Sequence, residues 1–145
     1  QISEGKISLT LSKSSFKVGE NVPVSVTVDS GGRVIAGVDV IVKFDPLFLQ
    51  ASKNDITTGS IVDEYPLASV DEKEGLVTIS GINRSKDGKA LSGQFATILF
   101  KAKKAGKTSL SIDFQKDTTT HSNLVEVNTL ENILEKVDNL QLQIQ

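Results

Sequence analysis

The sequence predicts an all-β protein, a sandwich of two stacked sheets, and three observations carry that expectation. Apolar residues recur with period two in short runs. The runs are separated by breaks rich in Gly, Asp, Asn and Ser, where positive φ costs little. The short intervals at which these runs recur favour a sandwich or barrel over alternating strands and helices. A chain of 145 residues suits one domain spanning residues 1–145, because a fold of this size buries roughly 70% of the surface its unfolded chain exposes.

About nine strands are expected. The first two are ISLTL (7–11) and VPVSVTV (22–28), followed by the break DSGG (29–32). The third, VDVIVKF (38–44), stops at Asp45-Pro46, because proline has no N–H for a ladder and biases the residue before it away from helix. Chain direction changes at that corner and FLQAS (48–52) restarts a strand, with a weak one near Ile61. The charged tip DEKEG (71–75) leads into LVTIS (76–80), and the turn KDGK (86–89) precedes FATILFKA (95–102). Ala105-Gly106 opens a hairpin to TSLSIDF (108–114). In the tail, Leu130, Ile133, Leu134 and Val137 recur at helical spacing behind Thr129, a possible N-cap, while Leu140, Leu142 and Ile144 alternate. A short helix near the C-terminus and a closing strand over 140–144 are expected. A continuous helix over 129–145 is the rival, since Asp138-Asn139 is a plausible but not a compulsory turn.

Composition argues against several functions. Net charge is -2 with Lys and Arg scattered, so no basic stripe is present to follow a phosphate backbone, and nucleic acid is not an expected partner. The absence of cysteine removes disulfides, thiolate metal sites and cysteine nucleophiles, and leaves the redox compartment unread. No run approaches the roughly 18 apolar residues of a membrane span, and QISEGK lacks the features of a signal peptide. A start at Gln1 reads as a processed or excised chain.

The supply of catalytic groups is thin. His121 is the single histidine and sits in TTTHSN, read as an exposed loop with no second imidazole to complete a metal site. Without a Gly-x-Ser-x-Gly elbow nothing selects a serine nucleophile. The carboxylates of Asp71, Glu72 and Glu74 lie too close along a hairpin tip to flank a sugar. Asp63-Glu64 and Asn54-Asp55 could offer oxygens to calcium, yet neither has the alternation of an EF-hand loop; no cofactor is expected. With no tryptophan, a sugar-stacking platform would need Tyr65 with Phe16 or Phe48. Phe95 and Leu99 fall on the opposite face of their strand from Ala96, Ile98, Phe100 and Ala102, so either residues 115–139 cover them or they form an apolar patch. Asn83-Arg84-Ser85 matches a glycosylation sequon, a frequent accidental pattern.

Taken together, KVGENVPVSVTV, AGVDVIVKFDPLFLQA, GLVTISGIN and GQFATILFKAKKAGKTSLSID resemble a cohesin domain, the receptor module that docks dockerins in cellulosomes and related surface assemblies. The strongest piece is Phe44-Asp45-Pro46 with Leu49 three residues past the proline. The resemblance covers about residues 17–113 and implies a nine-stranded jelly roll whose first and last strands lie side by side, pairing 140–144 with 7–11. It also implies that a dockerin binds one flat sheet face to which the third and sixth strands contribute. Alternation then turns Val38, Val40, Val42 and Phe44 inward and Asp39, Ile41 and Lys43 outward, with Thr78 and Ser80 outward on the sixth strand and Asn83 at its exit. Asp39 falls where cohesins often carry a partner-contacting aspartate; the outward position before it is Gly37, where many members have asparagine.

The expectation is thus a non-catalytic, extracellular or cell-surface protein-binding module, monomeric in isolation, that meets a dockerin-like partner through Asp39, Ile41, Lys43, Thr78, Ser80 and Asn83, a face read as small and polar. The alternatives are a structural subunit of a surface layer, pilus or adhesin, and a carbohydrate-binding module.

Overall fold

The structure is a computed structural model that describes residues 5–84, 87–116, 118 and 120–145. Ser85 of the sequon, Lys86 of the predicted turn, Thr119 of the threonine run and the first four residues lie outside the described residues. Twelve strand segments are present among those described. They are β1 (Gly5–Thr10), β2 (Ser15–Phe16), β3 (Asn21–Lys43), β4 (Leu49–Gln50), β5 (Ile56–Thr58), β6 (Glu64–Asp71), β7 (Leu76–Ile82), β8 (Lys89–Ala102), β9 (Gly106–Ile112), β10 (Asn123–Glu126), β11 (Leu134–Asp138) and β12 (Leu140–Ile144). One layer runs β5 and β4, β8, the first half of β3, β1, β11. The other runs β6, β7, the second half of β3, then β10 and the end of β9. β9 continues into a pairing with β12, which in turn pairs with β2.

The second and third predicted strands are one. β3 bends at Gly31 and Gly32, whose φ values of 64° and 85° are open to glycine at no steric cost. The DSGG stretch carries the strand from one layer into the other instead of ending it. Within the bend Ser30 is fully buried, and its hydroxyl accepts the Leu91 N–H at 2.9 Å. On either side the alternation holds: Val22, Val24, Val26 and Val28, then Val38, Val40 and Val42, all reach the core. The Asp45-Pro46 corner forms as expected, with Asp45 O accepting from both Phe48 N and Leu49 N at 3.0 Å.

The Phe95 question is settled by a bulge. Val26 pairs with Ala96 but Thr27 with Gln94, so Phe95 is the extra residue and both Phe95 and Ala96 turn inward. Phe95 packs in the core against Tyr65, ring centroids 5.1 Å apart, and over Gly81. Leu99 does stay on the outside, 38% exposed.

The C-terminal helix is absent: Leu134–Asp138 is strand. The chain makes a single turn in which Leu130 N–H donates to Glu126 O at 2.8 Å, and Leu130 then adopts φ 56°, which ends a right-handed turn. Thr129, expected as an N-cap, instead donates its hydroxyl to Glu126 Oε1 at 2.9 Å. The helical spacing misleads because Ile133 and Leu134 are both buried around a register shift opposite Gly5 and Lys6. The neighbour of β1 is therefore β11, in parallel, and not 140–144. β12 nevertheless lies exactly where the alternation placed a closing strand and runs parallel to β2.

Candidate functional site

The outer face of the second layer is built by the register of four strands. One row is Ile82 on β7, Gly37 on β3 and Val125 on β10. The next is Leu67 on β6, Ser80, Asp39 and Asn123. Ser69, Thr78 and Ile41 form the third, and Asp71, Leu76, Lys43 and Ser111 the fourth. Because side chains alternate across a sheet, these all share one surface, and the buried Val38, Val40, Val42, Val77 and Ile79 lie beneath them.

Asp39, Ile41, Lys43, Thr78 and Ser80 are thus brought together as expected. Asp39 is held from both sides: Ser80 Oγ donates to one carboxylate oxygen at 2.6 Å and Asn123 Nδ2 to the other at 3.0 Å. These two bonds fix the carboxylate across three strands. Ile41 is half-buried, and the Ser122 hydroxyl accepts its N–H at 2.8 Å. Asn83 sits at the exit of β7 with its amide engaged within the chain, donating to Ile35 O at 2.7 Å and accepting from Asp63 N at 3.3 Å.

The face is more apolar than expected. Leu67 and Ile82 are 45% and 39% exposed, and Leu76 is partly exposed beside them. β6 was missed because Tyr65-Pro66 sits in a bulge between Glu64 and Leu67, which breaks the alternation and puts a proline in the run. The signal was present beyond the bulge, where Leu67, Ser69 and Asp71 alternate with Ala68 and Val70.

Charges around this surface are paired with each other. Arg84 binds Glu64, Lys89 binds Asp63 at 2.9 Å, and Arg33 grips Glu126 through Nε at 2.8 Å and Nη2 at 3.2 Å. The Lys89 ammonium, with the Arg84 backbone N–H, holds the Asp63 carboxyl below its ordinary range. The Arg33 guanidinium, helped by the Thr129 hydroxyl, does the same for Glu126.

β9 and β10 are one edge interrupted by an excursion. Ile112 pairs with Val42 and Asn123 with Asp39, while Asp113 N donates to Ile41 O at 2.8 Å and Ser122 N to Asp113 O at 2.9 Å. His121 closes the base of the excursion, its Nδ1 2.8 Å from Asp113 Oδ2, and is half-buried rather than exposed. The neighbouring hydroxyl, Ser122, is committed to the backbone of Ile41.

The other sequence-level candidates resolve into local structure. Asp55 accepts from Ser52 N at 2.8 Å, and among the described residues no group of three or more His, Cys, Asp or Glu gathers as a metal site. Tyr65 donates its hydroxyl to Phe95 O at 2.8 Å, Phe16 is 2% exposed, and Phe48 packs at Gly106. These three rings make no common stacking platform. The concavity along Ser14, Lys107–Ser109 and Gln141–Gln143 carries neither an imidazole nor a carboxylate.

Comparison with known proteins agrees with this architecture. The chain superposes on a type II cohesin domain from the cellulosome of Acetivibrio cellulolyticus with TM-score 0.75 and 21% identity, covering 97% of this chain and 95% of that one. A type I cohesin–dockerin complex from Clostridium thermocellum gives TM-score 0.75 and 14% identity over 99% of this chain and 100% of the other. A non-cellulosomal cohesin from the archaeon Archaeoglobus fulgidus gives 0.72 and 11% over 99% and 92%. No curated protein matches the sequence. The model of the cohesin domain family matches residues 7–134, and the chain belongs to that family.

Proposed function

We propose that this cohesin domain docks a dockerin-like protein on the outer face of β6, β7, β3 and β10, as a non-catalytic module of an extracellular or cell-surface assembly. The observation that carries the reading is the face itself. Leu67, Leu76, Ile82 and Ile41 present apolar surface on one sheet, framed by ion pairs that already satisfy each other. Similarity to a solved cohesin–dockerin complex supports the choice of partner. Interfaces of ordinary size bury about 800 Å² per side and draw most of their energy from a few central residues. Ile41 is the central anchor, and Asp39, pre-oriented by Ser80 and Asn123, is the polar contact. Lys43, Thr78 and Asn83 frame them, no cofactor takes part on this side, and the module is a monomer until it docks.

The test is calorimetric titration with recombinant type I and type II dockerin modules. Ile41→Ala and Asp39→Ala are each expected to weaken binding by about tenfold or more, with the thermal midpoint recorded alongside to separate docking from folding. Wild-type affinity in both variants would remove this face from consideration.

A further inference from the structure

We infer that Gly37 keeps open a gap in the docking face that takes one apolar side chain of the partner, an inference that rests on the docking reading above. Glycine inside a strand loses backbone entropy and packs nothing, so its presence calls for a cause. Two causes lie within a chain, and neither applies here. Gly37 is not among the glycines with positive φ, which are Gly19, Gly31, Gly32, Gly75, Gly88, Gly93 and Gly106. Nor is it crowded: a Cβ added at Gly37 would meet only Gly81 O, at an ordinary 3.7 Å.

Gly81, which pairs with Val38 on the adjacent rung, makes the contrast. A Cβ at Gly81, on the inner face, would fall 2.7 Å from Val62 Cγ2 and 2.8 Å from Phe95 Cε1, so the core itself demands that glycine. At Gly37 the demand comes from outside, where a second molecule approaches the backbone closely.

The walls of the gap define what enters it. Ile82 and Val125 stand opposite Gly37 on either side, two strand spacings or about 9.6 Å apart, which is room for one side chain between two methyl-bearing walls. Leu67 lies diagonally beyond Ile82 on β6 and extends the apolar ground. The nearest charge along β3 is Asp39, on the same face and hydrogen-bonded to Ser80 and Asn123; Glu64, Asp63 and Glu126 are each paired within the chain, to Arg84, Lys89 and Arg33. A partner's charge would find no unpaired counter-charge among those three, whereas an aliphatic side chain would cover Ile82 and Val125 at no electrostatic cost.

The experiment compares Gly37→Ala and Gly37→Val with wild type, titrating each with a recombinant dockerin that wild type binds, and measuring thermal midpoints. Both variants are expected to fold with midpoints at or above wild type, because the strand backbone is relaxed and the space open. Affinity is expected to fall about tenfold for Ala and further for Val, the scale on which filled pockets discriminate methyl groups. Ile82→Ser, which removes a wall, is expected to weaken binding of the same dockerin, while Leu99→Ser, on the outer face of the other layer, leaves affinity unchanged. Undiminished binding by both Gly37 variants would overturn the gap and leave docking intact. Failure of the folded wild type to bind any dockerin of either type would overturn the docking reading, and the gap with it.

Discussion

At the scale of single residues, the pair Arg33 and Glu126 ties the bend of β3 to the end of β10 through two nitrogens on one carboxylate, with side chains only 28% and 12% exposed. The Glu126 carboxyl is held below its usual range, first by Arg33 and then by Thr129. The sign follows from linkage: a carboxylate depressed on folding contributes its full stability above the unfolded value near pH 4.3, and that contribution is lost as pH falls through the folded value. Wild type is therefore expected to lose more stability than Glu126→Gln between pH 7 and pH 3, by on the order of 1 kcal/mol, measured as the difference in urea unfolding free energy at the two pH values. Equal losses would mean that the pair contributes nothing to folding. Residues of the face were legible to different degrees for one physical reason. Asp39, Ile41, Lys43, Thr78 and Ser80 follow from uninterrupted period two, whereas Leu67 lies past a bulge and Ile82 past the expected end of its strand. Contacts such as Asn123 with Asp39 join residues far apart in sequence, and no local pattern encodes them.

At the scale of elements, every predicted strand has a counterpart except the weak one near Ile61, which is a bend between β5 and β6, and the other misreadings cluster where two layers share chain or where tertiary contacts override spacing. The DSGG bend looks like a turn because glycines with positive φ serve both purposes. The Leu130 to Val137 spacing looks helical because burial of adjacent residues around a bulge imitates it. The connection from β10 to β11 also carries a cost: Leu130 is 71% exposed with φ 56°, a conformation that charges a residue with a Cβ about 1–2 kcal/mol and is more open to asparagine. Leu130→Asn is expected to raise stability by about 0.5–1 kcal/mol, read from the denaturant midpoint at unchanged m-value. A loss of stability would show that the Leu130 side chain packs in solution.

At the scale of the whole molecule, β3 joins the layers covalently and by hydrogen bonds, pairing with β1 and β8 through its first half and with β7, β9 and β10 through its second. Neither sheet retains its central strand if the other dissolves. Val24 in the first half and Val40 in the second, both fully buried, should report one event: Val24→Ala and Val40→Ala are each expected to lower stability by about 1–3 kcal/mol while fluorescence of Tyr65 and far-ultraviolet dichroism still change together. Separate transitions in either variant would mean that the layers unfold independently.

The parallel pairing of β1 with β11 and of β2 with β12 has a mechanical corollary. Gly5 starts beside Leu134 and Ile144 ends beside Phe16, so tension between residues 5 and 144 runs along the strands and loads the rungs of both ladders sideways. Such rungs must give way together, whereas an antiparallel hairpin tugged at its open end unzips rung by rung.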